Sequence, residues 1–305
     1  MKTLIDNEGR EVVPFYPTTQ KITKSGDLVE VYRFGKNILL GRKYRKSKDK
    51  EITPKPKPNP DEVIKSSARR AKRMIKRLIY SNSFVWLKQN LSAYIPITVT
   101  LTFAKNIQDL KVANYEFTKF IRRLNYETNR IEGRELKQSR LKYLAVFEQQ
   151  KRGAIHYHCI FFNMPYISRI YDRLKDIWGQ GMINVGSQKK ILNKIKTSTK
   201  LKKIIDYFIK YIQKSILERQ FPNQKKYITS KGLIKPLEQY FEEVINLIRH
   251  RLPPEALGFS HSTEQDYYNG TAPETYLKWI NYESYDLSRY PDISKEIEDI
   301  MKRYS

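Results

Sequence analysis

Residues 142–162 constrain this chain more than any other stretch. Lys142-Tyr-Leu-Ala-Val-Phe-Glu148 and Ala154-Ile-His-Tyr-His-Cys-Ile-Phe-Phe162 are apolar, β-branched or aromatic at nearly every other position, and the polar, glycine-ended run Gln149-Gln-Lys-Arg-Gly153 divides them. That pattern predicts an antiparallel β-hairpin. With the turn centred near Arg152, Glu148 lies across from His156, and opposed residues share a face with β-carbons about 4.5–5.5 Å apart. His158 joins them, because side chains two residues apart on a strand point the same way, about 6.5–7 Å along. A one-residue slip would send Glu148 to the other face.

Two imidazoles and one carboxylate on one surface suit Mn2+ or Mg2+, and the same donors also accept Zn2+ or other transition ions. The competing reading is a pair of half-buried histidines satisfied by their neighbours. The chain has only four histidines. His250, read as the last turn of a helix, and His261, read as a loop residue, are not assigned to the metal.

Downstream, Leu201-Lys-Lys-Ile-Ile-Asp-Tyr207-Phe-Ile-Lys210-Tyr211-Ile-Gln-Lys214-Ser has helical spacing. At about 100° per residue, Tyr207, Lys210, Tyr211 and Lys214 form one stripe. Ile204, Ile205, Phe208 and Ile212 form another that would dock on a sheet. A phenol is a weak nucleophile at neutral pH, its ordinary pKa being about 10. Nearby cations or a metal polarising the electrophile favour attack through the phenolate. A phosphodiester is a suitable electrophile: tyrosine would take the 5′ phosphate and leave a free 3′ hydroxyl. With 22 tyrosines in the chain, a pair that merely packs is the alternative.

Together these segments resemble the HUH endonuclease superfamily, specifically the rolling-circle replication initiators of small plasmids and single-stranded DNA phages. Ile97-Thr-Val-Thr-Leu-Thr-Phe103 is similar to the family's first motif, the His-Tyr-His strand to its second, and Tyr207-Phe-Ile-Lys-Tyr-Ile-Gln-Lys214 to the two-tyrosine form of its third. The resemblance covers roughly residues 66–215. It implies that Glu148 completes the metal site and that Tyr207 and Tyr211 serve alternately as nucleophiles, with Lys210 and Lys214 beside them.

Charge agrees with a polyanionic substrate. The chain carries 58 Lys and Arg against 32 Asp and Glu, net +26, which favours nucleic acid through counterion release and steering without separating DNA from RNA. A single cysteine, Cys159, excludes an internal disulfide, suits a reducing cytoplasm and reads as core packing. Neither an apolar span nor a secretory leader is evident. No Gly-x4-Gly-Lys-Ser/Thr loop is present, so unwinding is assigned to a partner.

Residues 28–40 read as a short hairpin turning at Gly35-Lys-Asn, followed by a basic, proline-rich linker through Pro60. A helix then starts with Asn59 as cap and Pro60 at its first position. Ile64, Ala68, Ala71, Ile75 and Leu78 face inward. Arg69, Arg70, Arg73, Lys76 and Arg77 form a cationic side, for phosphate or simply for solvent. Strand 97–103, helix 107–126, strands 142–149 and 154–162, helix 166–178 and strand 182–185 give a split βαβ order. Lys189 and Lys190 fall on a loop spanning 188–200, as strand guides or solvated filler. The tail carries one clear helix, Leu237 to Leu252.

The expected fold is therefore α+β: a ferredoxin/RRM-like antiparallel sheet with helices on one face, an N-terminal β extension and a mainly helical C-terminal region. Divisions fall at 1–60, 61–217 and 218–305. The tyrosine helix must return over the open sheet face. The expected activity is metal-dependent nicking and rejoining of single-stranded origin DNA in a bacterial cytoplasm, with host helicase and polymerase as partners and no membrane. A relaxase or transposase with the same chemistry is the near alternative. A non-catalytic nucleic-acid binder with structural histidines is the distant one.

Overall fold

The structure, a computed structural model, describes residues 4–5, 11–12, 16–40, 60–150, 152–186, 204–211, 227–267 and 276–304. The linker 41–59 with its Asn59 cap, the tract 188–200 with Lys189 and Lys190, and Lys214 lie outside the described residues. In chain order come β1 (Leu4–Ile5), β2 (Glu11–Val12), β3 (Tyr16–Ser25), β4 (Leu28–Leu40), α1 (Pro60–Asn82), β5 (Ile97–Phe103) and α2 (Leu110–Ile131). Next are β6 (Tyr143–Gln149), β7 (Ile155–Phe161), α3 (Ile170–Trp178), β8 (Gly181–Val185), α4 (residues 204–211) and β9 (Tyr227–Thr229). The chain continues with β10 (Leu237–Gln239), α5 (Glu242–Arg249), β11 (Leu257–Tyr267), β12 (Tyr276–Asp286) and α6 (Pro291–Arg303). These form two compact units, residues 58–235 and residues 1–57 with 236–305. The fold class is α+β, as expected.

In residues 58–235 the strands run in the order β8-β5-β7-β6-β9, every pair antiparallel. The first four are the arrangement a split βαβ predicts. One face packs on α2 and α3: Phe117 of α2 stacks on Tyr157 of β7 with ring centroids 4.5 Å apart, and Trp178 of α3 is fully buried against Phe103. The opposite face carries Leu144, Val146 and Ile160, packed against Ala68, Ile75, Leu78 and Ile79 of α1 and Ile205 and Phe208 of α4. Helices thus cover both faces, rather than one. The apolar stripe of α1 needs burial, and only that second face offers it.

Local chemistry fixes the ends of these elements. Asp109 caps α2 by accepting from the Lys111 and Val112 amides. Gly179 closes α3 at φ +61, donating to the Lys175 carbonyl. A β-carbon on Gly181 would stand 2.4 Å from the Ala104 nitrogen, so β8 can lie beside β5 only with glycine there. Asn82 at the end of α1 donates to the Ile234 carbonyl and accepts the Ile234 amide, each at 2.9 Å.

The second unit is built from both ends of the sequence. Its sheet has the order β10-β3-β4-β12-β11, again antiparallel throughout. Ile22, Val29 and Val31 pack on Val244, Ile245 and Ile248 of α5 and Ile297 and Met301 of α6. Two expectations are corrected here. Gly35-Lys-Asn is not a turn: β4 runs through it, the β3–β4 register shifts between Thr18 and Gln20, and the turn is at Gly26-Asp27. The C-terminal region is not mainly helical: residues 237–239 pair with β3 instead of joining the helix, and β11 and β12 form an 11-residue hairpin. The terminal regions, divided in the sequence reading, share this sheet. β12 buries its edge by pairing with β4, a gain no local pattern announces.

Candidate active site

Two adjacent rungs of the sheet assemble the candidate site. On one, Thr102 of β5, His156 of β7 and Glu148 of β6 are aligned; on the next, Thr100, His158 and Val146. The predicted register Glu148–His156 is the observed one. Glu148, His156 and His158 are 5%, 5% and 3% exposed. The two imidazoles are held alike: Thr100 Oγ1 lies 3.2 Å from His158 Nδ1 and Thr102 Oγ1 lies 3.4 Å from His156 Nδ1. His158 Nε2 turns the other way, 3.5 Å from Glu148 Oε1. The threonine roles were missed in the sequence, although the alternation of Thr98, Thr100 and Thr102 marks their common face.

α4 comes over these rungs. Ile205 and Phe208 bury its apolar side, which turns Tyr207 and Tyr211 toward His158. The Tyr207 hydroxyl is 3.0 Å from His158 Nδ1 and 3.0 Å from Thr100 Oγ1. Tyr211 instead lays its ring flat on the His158 imidazole, centroids 3.5 Å apart and planes 15° from parallel. The two tyrosines are therefore not equivalent, since one presents its hydroxyl and the other its ring face.

Electrostatics correct one expectation. Burial pushes the Tyr207 phenol up to about 12, and the Thr100 hydrogen bond, acting in the opposite direction, does not overcome it. Lys210 is exposed, its Nζ 6.0 Å from the Tyr211 ring centroid, and is not among the groups acting on Tyr207. It therefore does not lower that phenol. Of the cationic side of α1, Arg69, Arg70 and Arg73 are exposed and Lys76 half-buried, but Arg77 is buried and leaves the open face. Cys159 is buried, which raises its thiol well above the ordinary range. His261 lies in β11 rather than on a loop.

Oxygen and nitrogen donors of this kind fit a divalent ion in type. The 3.5 Å between His158 Nε2 and Glu148 Oε1 is near the roughly 3.0–3.4 Å that separates two ligands on bonds of about 2.1 Å. Among the described residues, however, no group of three or more His, Cys, Asp or Glu is gathered as a ready metal cage. His156 would complete the set by turning toward the pair.

Residues 96–216 match the family of replication-associated proteins of the ORF2 type. This segment is Rep-like. It runs from β5 through α4 and so contains every residue of the two rungs and both tyrosines. No curated protein and no solved structure matches the chain. The match supports a replication initiator acting on DNA. Among the described residues, no helix is long and apolar enough to cross a membrane.

Proposed function

We propose that this protein nicks and rejoins single-stranded origin DNA to start rolling-circle replication, as a two-tyrosine HUH endonuclease. The observation that carries this reading is the Tyr207 hydroxyl, 3.0 Å from both His158 Nδ1 and Thr100 Oγ1 on the rung beside Glu148. Tyr207 Oη forms a bond to the scissile phosphorus as the bond from phosphorus to the 3′ oxygen breaks. The phenolic proton passes to water by way of the Thr100 hydroxyl, while His158 Nδ1 steadies the phenolic oxygen. The departing 3′ oxygen takes a proton and becomes the free 3′ hydroxyl. Lys210, exposed on the same helix, contacts a phosphate oxygen.

Glu148, His156 and His158 would hold Mn2+ or Mg2+, whose chemistry is to draw a non-bridging phosphate oxygen and offset its developing charge. Tyr211, with its ring on His158, takes the second transfer that closes the strand. A partner helicase opens the duplex and the host polymerase extends the 3′ end. The test is incubation with a single-stranded origin oligonucleotide and Mn2+, then denaturing electrophoresis and mass spectrometry. A covalent adduct on Tyr207 is expected. Cleavage without an adduct removes the tyrosine mechanism, and full activity in chelator removes the metal.

A further inference from the structure

A second basic, aromatic pocket lies at the other end of the central strands. Its volume is about 570 Å3, and its walls include Trp86, Tyr94, Arg134, Arg140, Lys142 and Asn163. That size is within the roughly 300–1,000 Å3 of sites that hold one small ligand, too small for a duplex. Its frame is preformed: Asn125 Oδ1 accepts the Arg140 and Leu141 amides, and Asn163 accepts the Lys142 amide while donating to the Arg140 carbonyl. Tyr94 is buried and donates to Glu132, which also pairs with Arg134 at 3.2 Å.

Three features remain to be used. Arg140 spends Nε on the neutral Gln138 amide, and Lys142 Nζ donates to the Lys231 carbonyl, so neither charge meets a carboxylate among the described residues. Lys142 Nζ stands 5.2 Å from the centre of the Trp86 ring. The Trp86 indole N–H is buried with no acceptor among the described residues. A buried donor of this kind is costly unless something reaches it. An aromatic wall, two uncompensated cations and an inward N–H together match a planar base bearing a phosphate.

We propose that this pocket holds one nucleotide of the single DNA strand, a subsite apart from the tyrosine site. The inference rests on the reading that the chain acts on single-stranded DNA. Lys142 and Glu148 are six residues apart along one strand, roughly 20 Å at about 3.4 Å per residue. A stacked strand rising about 3.4 Å per nucleotide covers that with six nucleotides, and a stretched one with fewer. The pocket therefore reads a base no more than about six positions from the nick.

The test is titration of the full chain with a 12-nucleotide oligothymidylate in chelator, following tryptophan emission, with saturation checked by anisotropy. Trp178 is fully buried and contributes no change. Quenching is expected in the parent protein and lost in Trp86→Phe. The double variant Arg140→Ala with Lys142→Ala should bind about tenfold more weakly. Its slope of log K against log salt should be shallower by about 1.4, about 0.7 per phosphate contact. Unchanged emission at saturation, or an unchanged slope, overturns the subsite. So does quenching by thymidine monophosphate as strong as by the oligomer, which would assign the pocket to a free nucleotide. Adduct formation is read separately. An adduct with unchanged emission removes the pocket alone, whereas quenching without an adduct removes the nicking reading and keeps the pocket.

Discussion

The two units share a plan and differ in chemistry. Each is a five-stranded antiparallel sheet with helices packed on it. Residues 58–235 hold 37 Lys and Arg against 12 Asp and Glu, leaving 21 against 20 for the rest of the chain. Almost the whole net charge of +26 therefore belongs to one unit, at +25 against +1. Where a cation is buried in the other, it is compensated: Lys24 Nζ meets the Gly26 carbonyl, Ser294 and Glu298. The sheet is only a platform. Its chemistry comes from what stands on the face, threonine, histidine and glutamate in one unit and packed valine and isoleucine in the other.

The largest expected effect probes that contrast at the site. Tyr207→Phe should lower adduct formation on the order of 10³-fold or more, as loss of a nucleophile does. Tyr211→Phe should cost no more than about tenfold in the first nick, since its ring can still cover His158. Tyr282→Phe, in the other unit, should cost nothing; equal losses from the two site variants would sink their ordering.

Next in size, Phe117→Ala removes a ring stacked in the core of residues 58–235 and should cost about 3–5 kcal/mol. Denaturant unfolding checks it: if the units are energetically separate, one transition moves and the other stays. A common shift would join them into one cooperative body.

Charge comes third. Replacing Arg69, Arg70 and Arg73 with alanine should make the salt dependence of single-strand binding shallower by about 2, about 0.7 per contact. The same change at Arg249, Arg251 and Arg289 should leave it unaltered. Equal slopes would end the assignment of DNA binding to one unit.

The smallest effect is a pH dependence. Glu127 bridges α2 and α3, accepting from Arg130 and from Arg173 at 2.9 Å, and these bonds hold its carboxyl down at about 2. Because its folded pKa lies below the ordinary carboxylate value, its contribution is complete above about 4.5 and fades as pH falls toward 2. Glu127→Gln should flatten stability across that window in acid titration. An unchanged curve would leave the bridge without weight.

Much of the Rep-like segment was legible because its signals are local. β5 begins and ends where its alternation does, and the hairpin register followed from one polar turn between two apolar runs. α2 outran its expected end at 126, since Asn125, Thr128 and Asn129 are buried polar residues that organise the following loop. A hydrophobic period is blind to such a helix. The second unit was hidden for a different reason. Tyr282 donates to Glu30 across 252 residues of sequence, and no window on one strand reveals so distant a partner. In the site, the residues were readable, but not which imidazole nitrogen each threonine would claim.

The Asn82–Ile234 clasp has a consequence for synthesis. It closes residues 58–235 upon themselves, so this unit is complete before β12 exists. β4 must wait for residues 280–286 to emerge. At roughly 5–20 residues per second, about 250 intervening residues take on the order of 12–50 seconds. For that interval the nascent chain exposes a long unfinished β edge, and any helper that shields it on the ribosome should raise the yield of finished protein.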